Sequence, residues 1–420
     1  MSSIAFVLFI IIAVIDAVHY AALFIFLRGI CRNERQTSDT PFTPKTLVCL
    51  ALRGADPFLK RCITGLLTQD YPNYALRLIV DSSEDSALPA VKEILDSLVH
   101  RQAEVDIMTV SEHYTTCTLK CNSLVHVLAA LDPSFEAVAV CDADVQPHPS
   151  WLRDLVAPLA DPGIAATTGQ RWYIPDKPNT GSLVRYLWNA AAVVQMYLYA
   201  IPWGGSMALR RDLFAEAAAV WRTAFTDDAS LAAALKKTGG KLRFVPSLFM
   251  VNRETVTLPV FHRWVKRQLL CAKLHHPSWN KIAGQGILIT VPLLTAAGLL
   301  VTGLCCHHWQ TVFWSASSVI LYWAGVYGTL PLMERAVQRR LAKRDAEKMT
   351  DKPHWYWQRT LGTLALIPLT QFVYTSALLR LYFLRRVEWR GVEYEISGKS
   401  VRLTAYKAYT AGQKENESLI

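Results

Sequence analysis

The apolar run Ala137–Cys141 ends in Asp142-Ala143-Asp144, two carboxylates one residue apart at the tip of what reads as a buried strand. Alternate residues of an extended segment point the same way. Asp142 and Asp144 would therefore present two hard oxygen ligands, or one ligand and one sugar contact, on a single side. Mg2+ or Mn2+ held by one or two carboxylates and by substrate phosphates suits so sparse a set. The plainer alternative is a pair of turn-forming acids after a strand. Asp81 repeats the placement, directly after the run "ALRLIV".

These acids need elements to hold them. The apolar runs 46–52, 75–80, 105–110 and 137–141 are separated by the helical patterns "PFLKRCITGLL", "LPAVKEILDSLV" and "LKCNSLVHVLAAL". Strands alternating with helices predict an α/β fold with a mostly parallel sheet flanked by helices. In such sheets ligands sit beyond the carboxyl ends of the strands, where Asp81, Asp142 and Asp144 fall.

The 420 residues are 52% hydrophobic and include 13 tryptophans, and the excess is concentrated. Residues 3–27 form an apolar run of the roughly 20 residues that a membrane-spanning helix needs, with no basic stretch ahead of it, and read as a retained anchor. Further runs cover 286–306, 311–332 and 361–384. The expected organisation is an N-terminal anchor (1–35), a globular domain (36–282) with an interfacial helix near 258–280, a C-terminal membrane bundle (283–386) and a tail (387–420). Arg28, Arg32 and Arg35 follow the first span and "ERAVQRRLAKRDAEK" follows the third, which places the globular domain in the cytoplasm of a multi-pass membrane protein. A fourth full crossing would put Arg385, Arg386, Arg390 and Lys399 outside. Pro368, Gln371 and Arg380 therefore make the last run a candidate re-entrant or interfacial element.

The net charge of +10 comes without a basic and aromatic recognition motif, which argues against nucleic acid and for a membrane surface or an anionic small ligand. The nine cysteines are scattered without metal-site spacing and are expected to be reduced. In "IPWGGSMALRR", Gly204 and Gly205 would let the backbone approach a sugar and Trp203 offers a stacking face; a plain turn is the alternative. Lys120 and Asn122 are further candidate donor contacts. "HRWVKRQLLCAKLHHPSW" mixes basic and apolar residues as a surface-lying helix does. "VEWRGVEYEI" reads as a short strand pair, resembling a tail of many bacterial relatives of the family named next, with its role open. Asp16 and His19 are polar residues within the first span, expected to face another helix.

The segments "LVCLALRGADPFLKRCITGLLTQDYPNYALRLIVDSSEDSA", "LKCNSLVHVLAAL", "AVCDADV", "WGGSMALRRDLF", "TDDASLAAALKKTG" and "HRW" occur in the order found in membrane-bound family 2-type glycosyltransferases. The chain most resembles the ceramide glucosyltransferases (family 21) and their bacterial relatives, over residues 40 to 280. The resemblance implies a GT-A fold, a UDP-sugar donor, a membrane lipid acceptor and a divalent cation, and a bacterial inner membrane or its equivalent as location. It also implies that Asp81 contacts the uracil and ribose, that Asp142 and Asp144 hold the donor and its ion, and that Asp228 is the catalytic base, with Asp227 beside it. Arg263 and Trp264 match the end of the (Gln/Arg)-x-x-Arg-Trp motif, but Val260 stands where Gln or Arg is usual.

On that footing Asp228 opens a helical pattern, and a helix N-terminus favours an ionised carboxylate; capping of that helix is the alternative. Arg263 would clamp the leaving diphosphate, and Trp264 would close over the sugar or nucleotide, or else sit at the membrane interface. Glucosyl transfer from UDP-glucose to ceramide is the first expectation. Diacylglycerol, a hopanoid or a growing polysaccharide are other acceptors, and a non-catalytic scaffold or transporter is the reading from a different class.

Overall fold

The computed structural model describes residues 1–31, 42–98, 103–176, 179–344 and 358–410. Arg32, Arg35 and the basic stretch beyond residue 344 lie outside the described residues. A 30-residue helix, α1 (Ser2–Cys31), precedes β1 (Thr46–Leu52), α2 (Leu59–Leu67), β2 (Tyr74–Val80), α3 (Ala87–Ser97), β3 (Glu104–Thr109), α4 (Leu119–Ala129) and β4 (Ala137–Cys141). Then come α5 (Trp151–Val156), β5 (Ile164–Tyr173), α6 (Thr180–Tyr199), β6 (Ser206–Arg210), α7 (Phe214–Trp221), α8 (Asp227–Thr238) and β7 (Lys241–Asn252).

The seven strands form one sheet in the order β3-β2-β1-β4-β6-β5-β7, with β6 antiparallel to both its neighbours and the other pairs parallel. Strands covered on both faces read as continuous apolar runs, as "TLVCLAL" and "AVAVC" do. Val48 and Leu50 of β1 pack with α2, α3 and α5, while Leu47 and Cys49 pack on the opposite face with α4, α7 and α8. Each such fully buried side chain contributes about 2 kcal/mol. The chain leaves β1 toward β2 and β3 and returns to β4 on its other side, so the crevice beyond β1 and β4 is the switch point of the sheet. This is the α/β architecture anticipated above, a mostly parallel sheet flanked by helices.

The C-terminal part comprises α9 (Leu258–His275), α10 (Trp279–Cys305), α11 (Trp309–Arg344), α12 (Gln358–Leu381) and three antiparallel strands, β8 (Arg386–Trp389), β9 (Val392–Ser397) and β10 (Ser400–Tyr406). Among the described residues four helices are long and apolar enough to cross a membrane: Ser2–Cys31, Trp279–Cys305, Trp309–Lys343 and Gly362–Leu381. In the first, Asp16 is buried against Gly325 of α11, and the Tyr20 hydroxyl donates to the Gly325 carbonyl at 3.1 Å.

Three features differ from expectation. The run 361–384 lacks the break of a re-entrant segment, which leaves the interfacial alternative: α12 is one helix with Pro368 inside it, lying along α9, where His262 Nε2 and Ser376 Oγ are 2.9 Å apart. The helix α9 is not surface-lying on its apolar face, because α6 and α12 cover Phe261, Trp264, Val265 and Leu269. The tail has a third strand, and it is bonded to the globular domain: Leu403 N–H donates to the Thr115 carbonyl at 2.7 Å, and Leu119 N–H to the Tyr394 hydroxyl at 3.1 Å.

Candidate active site

The carboxyl ends of β1, β2 and β4 deliver Arg53, Asp81 and Asp142 to one edge of the sheet. Asp142 and Asp144 do not continue the strand as an extended segment. Val145 N–H closes a turn onto the Asp142 carbonyl at 3.1 Å, and the turn brings both carboxylates together: Arg171 Nη2 of β5 lies 3.7 Å from Asp142 Oδ2 and 3.7 Å from Asp144 Oδ2. Asp144 also accepts from Asn252 at 3.2 Å. Among the described residues no group of three or more His, Cys, Asp or Glu side chains is placed to hold a metal ion. Two carboxylates converging on one positively charged nitrogen nevertheless fit a divalent cation whose other ligands come from phosphate.

Lys120, from the first turn of α4, ties the site together. Its ammonium is 2.7 Å from Asp142 Oδ1 and 3.0 Å from Asp227 Oδ2, and it donates to the Gly204 carbonyl at 3.2 Å. Burial works against its charge, but Asp142 and Asp227 outweigh it and hold the pKa above the usual lysine range. Burial would likewise raise Asp142, and Lys120 and Arg171 outweigh it, holding this carboxyl below its ordinary range. Asp227 is pushed up to about 6, chiefly by burial, with Lys120 opposing and Asp228 and Asp142 adding to the rise.

Asp228 sits in the first turn of α8. Its Oδ2 accepts from Gly204 N–H at 3.2 Å, and its Oδ1 accepts from the Thr226 hydroxyl at 2.5 Å and from Ala229 N–H at 2.6 Å. The turn before it is held by Phe225 N–H donating to His275 Nε2 at 2.8 Å, with burial lowering the His275 pKa to about 4 and keeping that nitrogen an acceptor. Gly204 and Gly205 leave room for neighbouring side chains. A Cβ on Gly204 would lie 2.5 Å from Asp227 Oδ2 and 3.0 Å from Lys120 Nζ, and one on Gly205 would strike the Trp203 indole. Trp203 is itself only 8% exposed and its ring is occupied by Arg171, 4.9 Å from the centroid, so it is no open stacking face.

Asp81 is also less accessible than expected. It is 4% exposed, its Oδ2 is paired with Arg53 and its Oδ1 is buried without a partner. Arg53 in turn donates to the carbonyls of Arg390 and Lys407, and the Tyr406 hydroxyl donates to the Asp81 carbonyl at 3.1 Å. The tail thus covers the β2 end of the crevice. Burial raises the Asp81 pKa, with Arg53 opposing.

Arg263 and Trp264 are not brought to the acids. Arg263 is exposed and has no ion pair among the described residues. Trp264 is 6% exposed in an aromatic cluster, 5.3 Å from Trp188 and 6.2 Å from Tyr173 by ring centroids. Arg267 lies one turn further along the same flank of α9, where the tail covers the helix, and interacts with Asp142 and Arg171. Residue-type reasoning also missed Arg171, inside the strand "TGQRWY", and Asp56, inside the quoted "LRGADPF". Burial, with Asp144 and Asp142 nearby, raises the Asp56 pKa.

Behind Asp228 a cavity of about 460 Å³ runs into the helical bundle. It is lined by α1, α6, α9, α10, α11 and α12, with mostly apolar side chains such as Leu23, Leu187, Leu269, Ile289 and Leu330, and Asp228 and Ala229 are part of its wall. One Gln195–Gln285 hydrogen bond of 3.0 Å crosses from α6 to α10 among the lining residues.

Solved structures similar to this chain include the mannosyltransferase PcManGT from Pyrobaculum calidifontis in complex with GDP-Man and Mn2+, at 16% identity, covering 90% of this chain and 98% of that one, with a TM-score of 0.49. TarS 1-349 of S. aureus is 10% identical, with coverage of 86% and 97% and a TM-score of 0.37. Glucosyl-3-phosphoglycerate synthase from Mycobacterium tuberculosis, in complex with Mn2+ and UDP-glucose, is 16% identical, with coverage of 55% and 79% and a TM-score of 0.34. Assignment rests instead on sequence: the model described as glycosyl transferase family 21 matches residues 8–401, from α1 through the acids of the sheet edge to the start of β10. The chain belongs to glycosyl transferase family 21.

Proposed function

We propose that this glycosyltransferase moves glucose from UDP-glucose to the hydroxyl of a membrane lipid, ceramide, with inversion at the anomeric carbon. The observation that carries the lipid acceptor is the apolar cavity that begins among the membrane helices and has Asp228 in its wall. A lipid seated there would present its hydroxyl to that carboxylate.

Asp228 is the base of the reaction: positioned by Gly204 N–H and the Thr226 hydroxyl, it accepts the acceptor's proton as the glycosidic bond forms. Asp142 and Asp144 would hold a divalent cation, which supplies charge neutralisation for the departing diphosphate. Lys120 fixes Asp142 relative to Asp227 and so sets the distance between the donor side and the base side. Arg171 adds positive charge beside the same pair.

Purified protein given UDP-glucose, Mg2+ or Mn2+ and ceramide is expected to form a β-glucosyl lipid, identified by mass spectrometry. Asp228→Asn is expected to cut turnover by roughly a hundredfold or more while UDP affinity stays unchanged; a fully active variant overturns the base assignment. Product from diacylglycerol or a hopanoid but not ceramide would change the acceptor, and absence of transfer to any lipid would remove the reading.

We also infer that α1, α10 and α11 cross the membrane and α12 does not. The domain and the tail are joined by hydrogen bonds, so the chain between them crosses an even number of times. The successive helices α10 and α11 supply two crossings, which leaves α12 at the boundary alongside α9. Arg28 and the basic end of α11 put the domain side in the cytoplasm.

A further inference from the structure

The turn between β8 and β9 has no part in the reading above, yet it is unusual. Arg390 and Gly391 both have positive φ, 46° and 74°, the pattern of a two-residue hairpin turn that favours Asn-Gly. A β-carbon-bearing arginine in that region carries backbone strain, which persists where surrounding structure holds it. What holds it is close by: Arg390 is 7% exposed, its carbonyl accepts from Arg53, and its guanidinium donates to the Arg53 carbonyl.

The turn gathers donors. Trp389 Nε1 is buried without an acceptor. Two guanidiniums flank its indole, Arg390 at 5.2 Å and Arg267 of α9 at 5.8 Å from the ring. Arg267 has no hydrogen bond or ion pair among the described residues. A buried donor without an acceptor is costly, and so is the buried Arg390 guanidinium sharing one ring with the half-buried Arg267; an anion offsets both. Burial lowers both arginine pKa values, as expected of such a pair. Arg390 is hydrogen-bonded to Arg53, which pairs with Asp81 at the sheet edge, so the cluster adjoins the acids of the crevice. None of the three residues lines the apolar cavity, so a lipid in the cavity would not reach them.

We propose that the β8–β9 turn is part of the donor site, with Arg390 and Trp389 of the tail and Arg267 of α9 binding the diphosphate of the nucleotide sugar. This rests on the reading that the protein uses a nucleotide-diphosphate donor. Guanidinium forks and an indole N–H match phosphate oxygens. The tail therefore belongs to the catalytic machinery, and the clamp expected at Arg263 is supplied one helical turn later together with residues from the other end of the chain.

The test is titration of the full-length, detergent-solubilised protein with UDP in the presence of Mg2+ by calorimetry, and with uridine by ligand-observed NMR. Arg267→Gln is expected to weaken UDP binding at least about tenfold, the loss of one charge-assisted hydrogen bond, with uridine binding unchanged. Trp389→Phe, which removes the indole N–H while keeping an aromatic ring between the two guanidiniums and leaves Arg390 in place, is expected to weaken UDP several-fold with the same selectivity. Unchanged UDP affinity in both variants overturns the proposal, as does an equal loss for UDP and uridine, which would mark the turn as structural. If wild-type protein binds no nucleoside diphosphate, the donor reading itself fails, and with it this one.

Discussion

Replacing Lys120 by methionine tests the organisation of the site most directly. Lys120 is the shared partner of Asp142 and Asp227, at 2.7 and 3.0 Å, and methionine keeps most of its volume. Lys120 and Asp142 are half-buried and Asp227 is buried, so removing the ammonium, which leaves a buried carboxylate unpaired, costs about 3 kcal/mol. Here two carboxylates lose their partner, with Asp228 next to them. Asp227 already has its folded pKa raised to about 6 from 3.8, so between these values the folded state binds more protons than the unfolded state. Its contribution therefore favours folding at low pH and is lost as pH rises through about 6. Without Lys120 the folded pKa rises further, and each added unit costs about 1.4 kcal/mol above both values. The expected result is a destabilisation of about 3 kcal/mol at pH 8, smaller by at least about 1 kcal/mol near pH 5.5. Chemical denaturation of the solubilised protein followed by tryptophan fluorescence reads both, and adding Asp227→Asn should restore part of the loss at pH 8. A destabilisation independent of pH, or none recovered in the double variant, would refute the argument.

Four further outcomes follow from the geometry. Gly204→Ala should lower turnover at least about tenfold, since its methyl displaces Asp227 and Lys120; wild-type turnover would contradict the packing. Ala272→Phe, at the Asp228 end of the cavity, should raise the KM for the lipid acceptor several-fold with UDP affinity unchanged, and steady-state kinetics at varied lipid concentration checks it. Arg263→Ala should leave UDP affinity within about twofold, because an exposed charge contributes little, whereas Trp264→Ala should cost about 3 kcal/mol or more of stability through the cavity left among Trp188, Phe261 and Tyr173.

Much of the architecture was legible because it depends on local pattern. Short continuous apolar runs such as "AVAVC", alternating with longer helical patterns, read as strands covered on both faces, and a parallel sheet places the residue after each strand at the ligand-facing edge. That logic located Asp142 and Asp144, and the apolar runs located the membrane helices. The glycines at 204 and 205 were also visible as positions with a requirement, and the structure shows one, room for Asp227, Lys120 and Trp203.

What sequence alone determined was the order of strands and helices, the acids at strand ends and the apolar spans, since each follows from the periodicity and composition of a short segment. Tertiary structure decided which charges meet. Arg263 and Arg267 are equivalent in type and share a flank of α9, and the tail, folded back over one of them, separates an exposed cation from a half-buried one. Arg53 and Arg390 are 337 residues apart in the chain, and no local pattern pairs them. The cavity behind Asp228 likewise exists only once six helices from both ends of the chain pack around it. Long-range burial and charge pairing depend on where distant segments come to lie, and the chain carries that information only through its folding.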